Sequence, residues 1–170
     1  MTTPYIEIDL SRQQLQLLDG AGNVLMTCAV STARNGPGER LNSECTPRGW
    51  HSIAAKIGGG CPVNSVFVNR EPTGEIYTPA LRAQSPGRDW ILTRILWLQG
   101  LEEGRNQGGE LDTQARYIYL HGAPDDVQMG VPGSRGCIRM RNADLLALYD
   151  RVDVGTRVFI RDAPPSRAPE

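Results

Sequence analysis

The sequence predicts a single domain of mainly β structure, and three observations support this fold class. The chain has 170 residues, 39% of them hydrophobic, which suffices for one well-packed core but not for two. Its apolar residues mostly recur at every second position, the period of a strand with one buried face. A single segment, beginning at Asn142, combines the polar start and the apolar spacing of a helix.

The first thirty residues predict a hairpin followed by a third strand. Two alternating runs come first, and the turn-forming pair Asp19-Gly20 precedes a third run from Val24 to Val30. The alternating residues of the first two runs are Ile6, Ile8, Leu10, Leu15 and Leu17. Cys28 lies on the apolar face of the third run, so we expect it to be a small core residue.

The middle of the chain predicts further strands. Trp50 to Ile57 has a period of two, and we expect His51 to be a packed strand residue rather than a catalytic one. Short apolar runs follow at residues 66–68 and 91–98. The glycines at 58–60 lack the Lys-Ser/Thr ending of a phosphate-binding loop, and we interpret them as a turn.

A helix and a strand are predicted to end the domain. Asn142 is the expected N-cap of a helix that carries Leu145, Leu148 and Val152 and ends before Gly155. Residues 157–160 predict the last strand. The expected organisation is therefore one domain at residues 1–162 and a flexible C-terminal tail at residues 163–170.

The composition bears on the possible partners and location. A net charge of −1 provides no basic field, so nucleic acid is not expected as a partner. The sequence contains no run of about 18 apolar residues, so no membrane insertion is expected. Its first residues lack the pattern of a secretory signal, which predicts a cytoplasmic protein. A periplasmic location is expected only if an export signal has been trimmed from the sequence.

The four cysteines, at positions 28, 45, 61 and 137, show no paired spacing. In a cytoplasmic chain we expect them to stay reduced, without a disulfide. Because the chain has only two histidines, a zinc site is not expected either. The sequence therefore predicts neither a metal nor a cofactor.

Cys137 and His121 are the candidate catalytic pair. A free thiol has a pKa near 8.5, so only a few per cent is thiolate at neutral pH, and a neighbouring imidazole is the usual activating base. His121 ends an alternating run in which Tyr119 shares its face and the apolar residues between them face the core. Gly136 allows close backbone approach beside the nucleophile, and we expect the amides of Gly136 and Cys137 to form an oxyanion hole.

The motifs around this pair resemble those of the L,D-transpeptidase catalytic domain (YkuD-like) family. His121-Gly122 is followed, after a loop, by Ser134-Arg135-Gly136-Cys137-Ile138-Arg139-Met140. Thr46-Pro47-Arg48-Gly49 is similar to the Thr-Pro-x-Gly element of that family, and residues 8–15 are similar to its opening strand and turn. The resemblance covers about residues 5–160, nearly the whole chain.

One position departs from the commonest form of the family motif. Arg135 stands where a histidine is frequent, two positions before the nucleophile. A guanidinium cannot act as a base, so we expect Arg135 to supply positive charge near the thiolate or near a substrate carboxylate.

The resemblance implies a fold, a substrate and a mechanism. The implied fold is a β-sandwich of mixed sheets with one α-helix after the nucleophile loop. The implied substrate is a muropeptide or a peptidoglycan stem peptide, cut between diaminopimelate and D-alanine, with the acyl part held on Cys137 as a thioester. His121 would transfer the proton, oriented by a backbone carbonyl such as that of Gly122. Carbapenem-type inhibitors are implied as ligands of Cys137.

Arginines near the site are expected to bind the carboxylates of such a stem. Arg139 is the best candidate, while Arg94 and Arg116 are weaker ones, and for each the alternative is an arginine that braces a loop. The predicted substrate-binding residues are Arg139, Ser134, Arg135 and Tyr119. Packing in the strand explains Tyr119 equally well. Asp89 and Asp112 are candidates for orienting His121, although nothing in the sequence places them there.

The fate of the thioester separates the functional hypotheses. Attack by water would give an L,D-carboxypeptidase, and we favour such an activity in cytoplasmic murein recycling. Attack by a side-chain amine of a second stem would give an L,D-transpeptidase that forms peptidoglycan cross-links. A non-catalytic peptidoglycan-binding module is a third possibility, against which the intact pair of Cys137 and His121 argues.

Overall fold

The computed structural model describes residues 3–163. The predicted tail at 163–170 lies, apart from its first residue, outside the described residues. Residues 3–163 form ten strands, two α-helices and one short 3₁₀ turn. The strands are β1 (Tyr5–Asp9), β2 (Gln14–Leu18), β3 (Val24–Ser31), β4 (Gly49–Ile57), β5 (Ser65–Val68), β6 (Glu71–Ile76), β7 (Leu92–Gly100), β8 (Tyr119–Gly122), β9 (Ile138–Met140) and β10 (Arg157–Arg161). The helices are α1 (Pro79–Gln84) and α2 (Asn142–Tyr149), and the 3₁₀ turn is Gly109–Leu111.

The strands form one sheet that closes on itself. Its order is β4-β10-β1-β2-β3-β9-β8-β7, and β7 pairs again with β4. The β5–β6 hairpin branches from β7 through the pairing of Val66 with Leu92. Two neighbouring pairs, β1–β10 and β8–β9, are parallel, and the other pairs are antiparallel. The predicted fold class, mainly β with mixed pairing in a single domain, is confirmed.

The main core lies on the inner face of the closed sheet. The alternating residues of the opening hairpin are buried there together with residues of β8, β9, β10 and α2. Cys28 also belongs to this core, as predicted, and is 8% exposed. A smaller cluster of Phe67, Ile95 and Tyr119 lies on another face of the sheet, and Cys137 packs against it. This second cluster forms the floor beneath the candidate site.

The helices differ from the prediction in two ways. Asn142 is the first residue of α2 rather than its cap, because its side chain is engaged elsewhere. Its Oδ1 accepts from Thr93 Oγ1 (2.7 Å), and its Nδ2 donates to Asn64 Oδ1 (2.9 Å). The helix also stops at Tyr149, so Val152 follows it. The short helix α1 was missed, although Thr78-Pro79 is a signal for it: Thr78 Oγ1 accepts from the Leu81 amide at 3.0 Å, and a proline opens the first turn. No helix within 3–163 is both long and apolar enough to cross a membrane.

His51 is a fully buried residue of β4, as predicted. Its Nδ1 lies 3.0 Å from the Gly49 carbonyl, which only accepts, so Nδ1 carries the proton. Nε2 then accepts from the Thr113 hydroxyl at 2.9 Å. Burial lowers the pKa of His51 to about 4, although the Gly49 carbonyl favours the charged form.

The neutral state of His51 predicts a pH-dependent stability. Because the pKa of the folded state is below the value of 6.5 for an unperturbed histidine, the unfolded chain binds a proton that the folded chain does not. This contribution to stability is complete above about pH 6.5 and is lost as the pH falls toward about 4. We expect the free energy of unfolding in urea to fall by about 2 kcal/mol from this residue between pH 7 and pH 5. Replacement His51→Gln should make that pH dependence shallower, whereas equal slopes for wild type and variant would contradict the assignment.

Candidate active site

Strand β8 carries the candidate base to the edge of an open pocket. The strand begins at Tyr119, later than the alternating pattern suggested, because Tyr117 has a φ of +58° and leaves the extended conformation. Ile118 and Leu120 are buried in the main core, whereas Tyr119 and His121 line the pocket. The predicted division of the two faces is therefore confirmed.

Cys137 is placed by the parallel pairing of β8 with β9. Leu120 pairs with Ile138 and His121 with Arg139, so the residue before β9 lies beside Tyr119. The Tyr119 amide donates to Cys137 Sγ at 3.3 Å, and the thiol donates to the Tyr117 carbonyl at 3.4 Å. Two backbone groups of the chain segment that leads to His121 thus hold the sulfur of Cys137.

The loop before Cys137 is braced by two hydroxyl groups. Thr46 Oγ1 donates to the Gly136 carbonyl (2.8 Å) and accepts from the Ala33 amide (3.0 Å), which gives the Thr-Pro element a structural role at the site. Ser134 Oγ donates to the Cys137 carbonyl at 2.5 Å and accepts from the Gly136 amide at 3.1 Å. The Gly136 amide is therefore already paired, which corrects the expectation that it is a free oxyanion donor.

Gly136 is nevertheless required by geometry. Its φ is +133°, and a Cβ at this position would lie 3.2 Å from the Cys45 carbonyl oxygen and 3.1 Å from Ile118 Cδ1. A side chain here would be strained by this φ and would press on the Cys45 carbonyl and on Ile118. The glycine of the motif therefore serves the position of Cys137.

His121 is only 1% exposed, and its orientation is fixed by the next residue in the chain. Its Nδ1 lies 2.7 Å from the Gly122 carbonyl, which only accepts, so Nδ1 is protonated. Nε2 is then left with its lone pair, the state required of a general base. The Gly122 carbonyl thus makes the contact that its expected orienting role requires, and the role itself stays a prediction.

A bulge in β7 packs against this end of β8. The register between the two strands shifts between Leu92 and Ile95, and Thr93, buried within the bulge, has a φ of +78°. The Thr93 hydroxyl reaches Asn142 at the start of α2. A Cβ on Gly122 would clash with Asn142 and with the Leu92 carbonyl, so this glycine permits the close approach of three elements.

Burial has the largest effect on the pKa values of the candidate pair, Cys137 and His121. It raises the pKa of the Cys137 thiol to about 12, and nearby Asp89 also disfavours the thiolate, while the Tyr119 amide, Arg139 and Arg116 favour it. Burial also lowers the pKa of His121, against the effects of the Gly122 carbonyl and Asp89. The resting pair is thus a neutral thiol and a neutral imidazole.

The pocket that holds the pair has a volume of about 330 Å³. All four predicted substrate-binding residues line it: Tyr119, Ser134, Arg135 and Arg139. Sequence reasoning did not identify other residues of its wall, which are Phe67, Asn69, Arg70, Ile91 and Ile95. These side chains come from the β5–β6 hairpin, from the residue before β7 and from β7 itself, and only the tertiary fold brings them to the site.

Of the other charged residues singled out from the sequence, one lies in the pocket and three contact backbone groups of loops. Asp89 lines the pocket and accepts from Arg139 Nη2 at 3.5 Å. Asp112 instead accepts from the amides of Gly108 and Ala115 in its own loop. Arg94 and Arg116 are bracing arginines, which donate to the carbonyls of Cys61 (2.8 Å) and Cys45 (2.7 Å) respectively. Residues 3–163 contain no group of three or more His, Cys, Asp or Glu side chains arranged to hold a metal ion.

The fold and the site together define a domain of mainly β structure whose pocket is lined by a cysteine and a histidine. Residues 3–160 match the YkuD family, described as the L,D-transpeptidase catalytic domain. The chain therefore belongs to this family, and the resemblance inferred from the motifs is confirmed.

Several proteins similar to this chain are named as L,D-transpeptidases. ErfK/SrfK of Escherichia coli (strain K12), named a probable L,D-transpeptidase, is 47% identical over 49 residues, which are 29% of this chain and 16% of that protein. YkuD of Bacillus subtilis (strain 168), named a putative L,D-transpeptidase, is 30% identical over 116 residues, 65% of each chain. The solved structure of L,D-transpeptidase LdtMt1 in complex with imipenem has a TM-score of 0.57 and 19% identity, covering 94% of this chain and 59% of that one. The present chain thus spans less than two thirds of each of these relatives.

The raised thiol pKa predicts how Cys137 reacts with an alkylating reagent. The rate of modification by iodoacetamide should rise about tenfold per pH unit between about pH 7 and about pH 9, because the thiolate is scarce throughout this range. A short, terminally blocked cysteine peptide, whose thiol titrates near 8.5, should instead begin to level off toward about pH 9. Mass spectrometry of the Cys137 peptide separates this reaction from that of the other three cysteines. A plateau for Cys137 below pH 8 would contradict the neutral resting state.

Proposed function

We propose that this protein catalyses cysteine-dependent acyl transfer on peptidoglycan stem peptides, cutting the bond between diaminopimelate and D-alanine of a tetrapeptide. One observation carries the proposal: the Cys137 thiol and the His121 imidazole line the same open pocket, with Nδ1 of the imidazole bonded to the Gly122 carbonyl. Membership of the L,D-transpeptidase family supplies the substrate class.

In the proposed reaction, His121 Nε2 takes the thiol proton as Cys137 Sγ attacks the carbonyl carbon. The carbonyl electrons move to the oxygen, and the backbone amide of Cys137 stabilises that oxyanion. As the intermediate collapses, the C–N bond breaks, the leaving amine takes the proton from Nε2, and D-alanine departs. A thioester on Cys137 remains.

The neutral resting pair suits this order of events. An imidazolium would be costly at the buried ring of His121, and a thiolate would be costly for the Cys137 sulfur packed against the apolar cluster, so in this proposal charge develops only when substrate is present. Asp89 then favours the imidazolium electrostatically, which offsets part of the burial cost of the charged ring. Transfer of the thiol proton to His121 during the attack avoids a free thiolate before the substrate has bound.

The acceptor that we favour for the thioester is water, which makes the protein an L,D-carboxypeptidase. His121 Nε2 would take a proton from the water and return it to Cys137 Sγ. We place this activity in cytoplasmic murein recycling, where stem peptides are soluble and water is the abundant acceptor. Fractionation of cells expressing the natural gene tests the location, and recovery with the periplasm would refute it.

A specific surface feature favours cross-linking as the second candidate. A polar depression of about 390 Å³, lined by Arg34, Asn35 and Glu44, adjoins the catalytic pocket and shares Ser134 and Arg135 with it. A second stem bound there would approach the thioester from the side of the nucleophile loop. In this alternative the protein is an L,D-transpeptidase whose acceptor is a side-chain amine. A non-catalytic binding module is disfavoured because it has no need of the Cys137–His121 arrangement.

Incubation with a defined tetrapeptide distinguishes these activities. We expect wild type to release D-alanine and tripeptide, Cys137→Ala to be inactive, and His121→Ala to lose about 10²- to 10⁴-fold in kcat. Mass spectrometry of the products identifies the acceptor. Abundant peptide dimer with little tripeptide would favour cross-linking, and unchanged tetrapeptide would refute the enzymatic proposal.

A carbapenem should acylate Cys137. The complex of LdtMt1 with imipenem supports this expectation, since that protein shares the fold. Intact-protein mass spectrometry should show a gain of one imipenem mass, absent in Cys137→Ala. Retention of the adduct in Cys137→Ala, or its absence in wild type, would count against the proposed nucleophile.

A further inference from the structure

The tip of the β5–β6 hairpin brings into the pocket an arginine that the proposed mechanism does not use. Val68 pairs with Glu71, which leaves Asn69 and Arg70 as a two-residue turn. Both have positive φ, +49° and +65°, the backbone geometry of a type I′ hairpin turn. Asn69 and Arg70 line the same pocket as Cys137.

An arginine is an unfavourable choice for the second position of this turn. Type I′ turns prefer Asn-Gly, because a glycine adopts positive φ without a steric penalty. Asn69 follows the preference, but Arg70 does not. Since the turn itself does not explain Arg70, its side chain is the feature to account for.

The guanidinium of Arg70 is held in place by neutral aromatic residues. Its Nη1 donates to the Tyr119 hydroxyl at 3.1 Å, and its Cζ lies 4.7 Å from the ring centroid of Tyr117 and 5.1 Å from that of Trp97. Rigid aromatic partners of this kind orient the planar fork without neutralising its charge.

Arg139, a second arginine of the pocket, differs from Arg70 because it has an acidic partner. Arg139 donates to Asp89 at 3.5 Å and to the Gly133 carbonyl at 3.2 Å. Within residues 3–163, no carboxylate oxygen lies within 4.0 Å of the Arg70 guanidinium. Arg70 therefore presents an oriented positive charge that lacks an acidic partner in the described chain.

Tyr119 sets the distance between this charge and the nucleophile. Its amide contacts Cys137 Sγ (3.3 Å), and its hydroxyl contacts Arg70 Nη1 (3.1 Å). A group bound to Arg70 therefore lies about one tyrosine length from the reacting carbonyl. The carboxylate of the departing D-alanine, two bonds from the scissile nitrogen, is too close to the reaction centre to match. Carboxylates on the second residue or on the side chain of the third residue of the stem fit this distance better.

We propose that Arg70 binds a free carboxylate on the acyl part of the donor stem and thereby selects stems that are not amidated there. The inference rests on the proposed function, since it names the substrate feature that the same pocket recognises. A guanidinium binds a carboxylate through two parallel hydrogen bonds, which an amide cannot reproduce. Amidation of the second or third residue therefore removes the partner of Arg70.

Three synthetic tetrapeptides test this proposal: one with all carboxylates free, one amidated on the second residue, and one amidated on the side chain of the third. Wild type should cleave the free peptide with a kcat/KM roughly 10- to 100-fold above that of one amidated peptide, and that peptide identifies the carboxylate. The loss should appear in KM more than in kcat, because the contact is remote from the reacting atoms.

Arg70→Gly is the decisive variant, because it creates the preferred Asn-Gly turn and should keep the hairpin folded. We expect its thermal midpoint within a few degrees of wild type and its Cys137 alkylation rate unchanged, while its preference between free and amidated peptides falls to about twofold or less. Arg70→Lys, which keeps the charge without the fork, should retain part of the preference. Arg12→Gln, an exposed arginine outside the pocket, is the matched control and should behave as wild type.

The outcomes separate this inference from the proposed function. Equal cleavage of all three peptides by wild type, or an undiminished preference in Arg70→Gly, would overturn the role of Arg70 and leave peptide cleavage intact. A large fall in thermal midpoint for both Arg70 variants, with the preference preserved in Arg70→Lys at reduced stability, would make Arg70 a structural residue instead. Failure of wild type to cleave any of the three would overturn the proposed function, and this inference with it.

Discussion

The parallel pairing of β8 with β9 is the constraint on which the site depends. It aligns Leu120 with Ile138 and His121 with Arg139, and so brings Cys137, the residue before β9, beside Tyr119, two residues before His121 in β8. A parallel pair requires a long connection, and residues 123–137 supply it. The loop that closes this connection is the one braced by Thr46 and Ser134. The pairing of β8 with β9 therefore determines where the candidate nucleophile and the candidate base lie in the fold.

The same packing that positions the pair also suppresses its charge. His121 is almost fully buried, and the sulfur of Cys137 packs against the cluster of Phe67, Ile95 and Tyr119. A more exposed pair would ionise more readily, but its orientation would have fewer contacts to fix it. The structure therefore favours a fixed orientation of His121 and Cys137 over a preformed thiolate.

Local patterns predicted the elements that depend on alternation and on motif chemistry. The opening hairpin, the buried Cys28 and His51, and the two faces of β8 follow from the period of two. The pairing of the Gly136 amide with Ser134 did not follow, because it depends on the conformation of the loop, which alternation does not report. The bulge at Thr93 did not follow either, because its hydroxyl pairs with Asn142, which is distant in sequence. Arg70 was missed for the same reason: nothing local shows that a hairpin 67 positions before Cys137 (137 − 70) reaches the nucleophile.

The hairpin holds Arg70 at a defined place because its base is part of the core. Val66 pairs with Leu92 on β7, and both residues pack with Tyr77 and Trp90. Phe67, on the opposite face of β5, packs with Ile95 and Tyr119 in the cluster that supports Cys137. The base of the hairpin and the nucleophile therefore share packing partners, so a shift of one displaces the other. This coupling gives the distance between the guanidinium of Arg70 and the thiol of Cys137 a structural basis, rather than leaving it to a mobile surface side chain.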